Sequence, residues 1–361
     1  MILSLLFLLL SVRTFLSHQC SQTTFHDVYV SIYTQNSVNY QNLSGCISSR
    51  TLKYQTFTRI EVSNQVISSL NKDAVSNIPN RFNLVFNNNS ISKIKKKAFF
   101  NLPGLRILRL NYNHINWIKS NAFDSLPSLL FIHLEQNHLE MLLQNTFANL
   151  PNLTHISLDN NKLEVFKQDW FYNTPVLKCF YKRHAITSIP KASFITLPSL
   201  YAIYLKRNKI LFINNNAFLG LENLIKLHLG KNRLVSIEFD FKTVPNLSFL
   251  GIQRNLLNYV SDDCLNGMQH SLTLIWIHLN PWQCACLEKL LQWGMNHNIT
   301  ISWQCKNTDL SCIVTENADL CVETVNKTFI AEKQKHFTVL ECVQKHKVEF
   351  EDRSGVVFGF V

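Results

Sequence analysis

The sequence predicts an α/β solenoid: a curved stack of short units with a parallel sheet along its concave side and a disulfide-bonded cap at each end. Three observations predict it. Apolar residues recur every 23 or 24 positions over most of the 361-residue chain, an asparagine recurs at one place in nearly every period, and most cysteines lie outside the periodic region. The period is plainest in Leu105-x-x-Leu108-x-Leu110-x-x-Asn113-x-Ile115, followed by Ile118, Ala122-Phe123 and Leu126-Pro127. It returns as Leu129, Ile132, Leu134, Asn137, Leu139, Leu142, Phe147 and Leu150-Pro151. Each unit of such an array touches only its neighbours, so the chain is one elongated body rather than two compact domains.

Residues 1–17 are read as a secretory signal peptide. Leu5 to Leu10 form an apolar core too short to span a bilayer. Residues 18–56 show no period but alternate apolar and polar residues around Val28, Val30 and Ile32. They are read as an N-terminal cap closed by a Cys20–Cys46 disulfide, since a terminal unit would otherwise expose its apolar edge to water.

Nine units occupy residues 57–271, beginning at Phe57, Arg81, Leu105, Leu129, Leu153, Val176, Leu200, Leu224 and Leu247, and a half-unit starts at Leu272. The first, fourth and sixth positions of each are expected to face the core, because successive side chains of a strand point to opposite faces. In this frame Cys179 is an inward fourth residue. The ninth position holds Asn89, Asn113, Asn137, Asn161, Asn208, Asn232 and Asn255, with Gln65 and His184 as exceptions. There the chain turns off the strand, and a buried amide can satisfy backbone groups left without ladder partners. The two exceptions predict looser turns. Ala98-Phe99, Ala122-Phe123 and Ala217-Phe218 are expected to fill the convex side, with Cys179 and Cys264 as buried free thiols. These features together define a leucine-rich repeat horseshoe.

Residues 272–342 carry the half-unit and a different segment. Asn280-Pro281-Trp282-Gln283-Cys284-Ala285-Cys286 is followed by Leu287, Leu290, Leu291 and Trp293 at helical spacing, then by Cys305, Cys312, Cys321 and Cys342. This segment closely resembles the cysteine-rich C-terminal cap of extracellular leucine-rich repeat proteins, and the resemblance covers residues 57–342. It implies that Cys284 and Cys286 each pair with a downstream cysteine. Six cysteines stand where the usual cap has four, and six allow fifteen pairings. Residues 343–361 are read as a charged tail ending in an apolar run too short to anchor the chain.

Ten cysteines and six sequons, at Asn42, Asn88, Asn152, Asn246, Asn298 and Asn326, agree with export. The expectation is a secreted, extracellular glycoprotein with no membrane span in this chain. The formal net charge of +11 favours acidic partners. No phosphate loop, nucleophile elbow, metal-ligand spacing or nucleic-acid-binding motif occurs, so no enzyme, cofactor, metal or nucleic acid is expected.

The binding surface is expected on the concave sheet, at the second, third, fifth, seventh and eighth positions. Units six to nine place Lys178, Lys182, Arg183, Lys206, Arg207, Lys226, Lys231 and Arg254 there, without an acid. Phe180, Tyr204, His228 and Trp276 are interleaved with them. Basic and aromatic residues in adjacent strands make a plausible hot spot for an extracellular protein or an anionic glycan. A second basic cluster, Lys93 and Lys95 to Lys97, falls after the strand and is read as solvated.

The resemblance implies recognition rather than catalysis. Similar architectures occur in Toll-type receptor ectodomains, adhesion proteins and secreted immune recognition proteins. The leading expectation is a secreted binding protein in immunity or adhesion. The alternatives are a shed or truncated ectodomain of a signalling receptor and a matrix protein holding sulfated glycans. The oligomeric state is left open, a dimer being compatible.

Overall fold

The computed structural model describes residues 20, 22–182, 185–302, 312 and 320–323. The expected signal peptide, Arg183, His184, Cys305, Cys342, Asn326 and the tail lie outside the described residues.

Each unit begins with a strand because leucine or an equivalent recurs on alternate residues and needs one buried face. Eleven such strands run in parallel from Arg59–Glu61 through Leu105–Arg109 and Leu274–Trp276 to Thr300–Ser302. With two N-terminal cap strands they form one 13-stranded sheet. Leu105, Leu108 and Leu110 are fully buried, as are their equivalents Leu129, Leu134, Leu153, Ile156 and Leu158. In the second unit Arg81 is exposed and Phe82 fills the first core slot, so the strand enters one residue later than the sequence frame had it.

Short parallel bridges, rather than helices, build most of the opposite side, as in Ser69–Leu70, Lys93–Ile94 and Trp117–Ile118. Ala98, Ala122 and Ala217 leave room beside Phe99, Phe123 and Phe218, and all six are fully buried. The phenylalanines stack from unit to unit, with centroids 5.8 Å apart for Phe99–Phe123 and 5.7 Å for Phe123–Phe147. Cys264 is buried in the equivalent slot of a later unit, on a short helix Asp262–Met268. Its thiol donates to the Ile237 carbonyl.

The asparagine column joins the units. Asn137 donates to the carbonyls of Leu110 in the preceding unit and Leu134 in its own, both at 3.0 Å, and accepts from the Ile115 N–H. Asn161 and Asn232 repeat the pattern. Asn280 belongs to this column as well, donating to Ile252 and Ile277. The Asn-Pro-Trp of the cap motif is therefore also the last turn of the ladder. Trp282 fills the leucine slot that follows, and its indole N–H reaches the Ile277 carbonyl.

Gln65 corrects the expectation of a loose turn. Its preceding neighbour is not a repeat strand but the cap strand Phe25–Tyr33, which runs antiparallel to Arg59–Glu61. The longer side chain spans to that strand, accepting from the Tyr29 N–H and donating to the Tyr29 carbonyl, both at 2.7 Å. Phe25–Tyr33 pairs on its other edge with Val38–Gly45, and Val28, Val30 and Ile32 close the core end. Cys20 and Cys46 form a disulfide beside this hairpin.

At the other end Cys284 pairs with Cys312 and Cys286 with Cys321. Helix Cys284–Asn296 buries Leu287, Leu290 and Trp293 against the last units. Lys289 ties it to Asp262 at 2.8 Å and to Glu323 at 3.0 Å.

Candidate functional site

The position of every concave side chain depends on register, and the sixth unit changes it. Strand Cys179–Tyr181 pairs in parallel with His155–Ser157 and Ala202–Tyr204, setting Phe180 beside Ile156 and Ile203. The unit therefore starts at Leu177, not Val176. It is one residue short after its strand rather than before it: Lys182 precedes Ile186 by four, where Leu110 precedes Ile115 by five. A one-residue slip moves every side chain to the other face of a strand.

Three expected placements are corrected. Phe180 is a core residue, fully buried and edge-on to Phe166 and Phe171, and does not face solvent. Cys179 lies in the third column of the concave side rather than in the core row, though it is still buried and outside any disulfide. Lys182 takes the sixth, inward position that Leu158 and Leu205 take in the adjoining units, and it is fully buried. Burial pushes its ammonium down to about 8, against the opposing pull of Asp159. It contributes nothing to an exposed patch. Arg183 lies outside the described residues.

The slip brings forward a residue the sequence frame had hidden. Tyr181 occupies the centre of the concave face and stacks on Tyr204, with centroids 4.7 Å apart and planes parallel within 1°. Beside this pair Lys226 extends over the Tyr201 ring at 5.4 Å, and Lys178 is exposed. Lys206 is half-buried on the adjoining turn. These side chains form a shallow, basic, aromatic surface over units six to eight.

Further along, His228, Phe249 and Trp276 pack into one another, with Phe249 and Trp276 edge-to-face at 5.0 Å. His228 is buried, with its Nδ1 accepting from the Gly230 N–H and its Nε2 turned toward Gln253. The side-chain amide of Gln253 lies 3.3 Å from that Nε2 and stands over Gly230, where an added Cβ would meet it at 2.6 Å. His228 is thus a structural member of the floor, and only Trp276 of the three is half-exposed. His278 is buried nearby. Burial, then the adjacent Arg254 guanidinium, pushes its imidazole down to about 4, so it is neutral at physiological pH.

Arg207, Lys231 and Arg254 are not at the centre of the sheet. They sit at the eighth position, where the strand turns away, with left-handed φ of 59°, 56° and 54°. The exposed Lys209 and Arg233 follow two residues later, and the sequence frame did not select them because they lie beyond the strand.

Toward the N-terminus the concave face carries close contacts between acidic and basic side chains. Arg59 pairs with Glu61 at 2.9 Å and covers the Tyr33 ring at 3.6 Å, and His133 meets Glu135 at 2.8 Å. The sequon residues Asn42, Asn88, Asn152, Asn246 and Asn298 are all exposed. Asn152 and Asn246 lie just before their strands and donate to carbonyls of the preceding units, so both project at the strand-start rim. Among the described residues no helix is long and apolar enough to cross a membrane, and no group of His, Cys, Asp and Glu is placed to hold a metal ion.

The repeat, its asparagine ladder and its capped ends define a class, and comparison with known proteins agrees. A Leucine rich repeat family model matches residues 82–139, and the BspA type Leucine rich repeat region model matches residues 118–238 and 166–280. Together they span more than half of the chain, which belongs to the leucine-rich repeat family and carries a cysteine-rich C-terminal cap. Comparison with curated protein sequences gives no significant match. Among solved structures the chain resembles human 5T4 (Wnt-activated inhibitory factor 1, trophoblast glycoprotein). That likeness has a TM-score of 0.51 and 19% identity, over 76% of this chain and 92% of that one. It also resembles Drosophila Toll in its complex with Spatzle, with a TM-score of 0.53 and 18% identity, over 66% of this chain but 35% of that one. At these identities the likeness concerns the fold.

Proposed function

We propose that this chain is a secreted, non-enzymatic recognition protein that holds an extracellular protein partner on the concave face of units six to eight. The observation that carries the reading is the parallel Tyr181–Tyr204 stack flanked by Lys178, Lys226 and Lys206. Rigid aromatic rings offer a partner large contact area at little entropic cost, and the lysines select for acidic groups at the edge. Disulfides at both ends and exposed sequons support an extracellular setting. The solved complex of Toll with Spatzle is a protein of this fold with a protein partner, which favours a protein ligand over a small molecule. The same likeness favours a second reading, in which the chain is the ectodomain of a signalling receptor. A role in immunity or in adhesion fits either reading.

The test is a Tyr181→Ala, Tyr204→Ala, Lys226→Glu variant, compared with wild type for capture of partners from extracellular fluid. Affinity is expected to fall about thirtyfold or more, the effect of losing about 2 kcal/mol at a hot spot. The unfolding midpoint should move by less than about 3 °C, since none of these side chains is a core residue. Retention of the same partner at full affinity would overturn the reading.

A further inference from the structure

We propose that the strand-end rim of units seven to nine is a separate binding site for a linear sulfated polysaccharide. The rim is formed by Arg207, Lys209, Lys231, Arg233 and Arg254, with Lys206 at its inner edge. From Lys206 to Leu211, Gly230 to Val235 and Gln253 to Asn258 the three turns contain six basic residues and no acid. The proposal does not rest on the concave-face reading, because Tyr181, Tyr204 and Lys226 take no part in it.

The turns are held in fixed register. The Arg207 N–H donates to the Gly230 carbonyl at 2.9 Å, Lys231 to Gln253 at 2.8 Å and Arg254 to His278 at 2.9 Å. Asn208, Asn232 and Asn255 lock the same turns from inside. The eighth-position cations are therefore repeated at the strand spacing of roughly 5 Å. Lys209 and Arg233 add a second, outer row whose backbones bond to Ile186 and Ile210 at 2.9 Å. Both are exposed, as is Arg207. Two parallel rows of cations on a rigid edge match a ligand that is itself linear and uniformly charged. A sulfated polysaccharide carries several anionic groups on each sugar pair, and the planar guanidinium fork binds such oxyanions bidentately. An extended acidic peptide fits less well. Its successive side chains alternate, so facing carboxylates recur only about every 7 Å. Sequon placement leaves this stretch of rim open, because Asn246 projects at the opposite rim and Asn88, at the strand-end position, lies in unit two.

The test measures binding of a short heparin oligosaccharide at physiological ionic strength to full-length protein and two triple variants. Arg207→Asn, Lys231→Asn, Arg254→Asn removes the inner row. Asn is the chain's own residue at this position in Asn64, Asn88 and Asn160, with φ between 53° and 59°, so the turns are preserved. Lys93→Gln, Lys95→Gln, Lys96→Gln removes the same charge from an exposed cluster elsewhere. The rim variant is expected to lose affinity about tenfold or more, and the control to stay within about twofold. Four results would each overturn the proposal. These are no binding by wild type, full binding by the rim variant, an equal loss in the control, and displacement of heparin by polyglutamate or phosphatidylserine vesicles as readily as by free heparin.

Discussion

Lys182 shows how one side chain can carry a cost that its unit bears throughout. A lysine in a row otherwise filled by Leu110, Leu134, Leu158 and Leu205 loses its hydration, and burial pushes it down to about 8 from 10.5. Between those two values the unfolded chain holds a proton that the folded chain has released. Stability attributable to this residue should therefore rise as pH increases from about 8 to 10.5 and be flat below that window. The shift corresponds to about 3 kcal/mol at most. Lys182→Met is expected to raise stability at pH 7 by about 1–3 kcal/mol and to lose most of that gain by pH 10.5, as read by urea denaturation at both values. Lys182→Glu should instead destabilise severely, because an exposed site would tolerate the change and a leucine slot does not.

The same residue explains where reading the chain stops. Val176-Leu177 and Cys179-Phe180 offer an apolar residue to either of two frames, while Tyr181-Lys182 offers one only to the frame that starts at Val176. The frame that keeps lysine outside the core is the natural choice from pattern alone. Total length shows that one residue is missing from the unit, not on which side of the strand. Phe180 settles it in three dimensions, since a phenylalanine fills the slot between Ile156 and Ile203 far better than a cysteine would. The regular units were legible because each leucine has a copy one period away, and Asn137 or Asn232 marks the turn independently. Tyr181 was missed because the slip hid it, and the rim because Lys209 and Arg233 lie outside any strand.

At the scale of the element, the asparagine ladder and its one long substitute make a pair of contrasting predictions. Asn232 makes three buried hydrogen bonds, two to the preceding unit and one within its own. Asn232→Ala should cost about 2–4 kcal/mol, because it leaves buried backbone groups unsatisfied. Gln65 does a similar task across an antiparallel boundary. Gln65→Asn is expected to destabilise by about 1–2 kcal/mol, even though Asn is the residue at that position in most units, because the shorter chain cannot reach Tyr29. Parity of Gln65→Asn with wild type in chemical denaturation would show that the cap is held by other contacts. The N-terminal hairpin itself was legible only as alternation. That its strand runs antiparallel to the solenoid depends on pairing that no local pattern encodes.

For the whole molecule, charge is spread unevenly over the surface. The N-terminal concave face carries the paired contacts Arg59–Glu61 and His133–Glu135, while the C-terminal half keeps lysines beside half-exposed rings. In units seven to nine the strand-start rim bears the sequon Asn246 and the strand-end rim bears cations, while the sequon Asn88 lies at the strand-end rim of unit two. A protein partner on the concave face and a sulfated chain on the rim could be held together, since the two surfaces share only the Lys206–Arg207 edge. The claim that the face centred on Tyr204 receives the partner is tested most directly by a photo-crosslinking phenylalanine analogue placed at Tyr204 or at Tyr172. Tyr172 is 64% exposed and lies on the far side of the unit, in a short bridge away from the concave sheet. A covalent adduct with the partner is expected from position 204 and none from position 172. An adduct from 172 alone would contradict the claim.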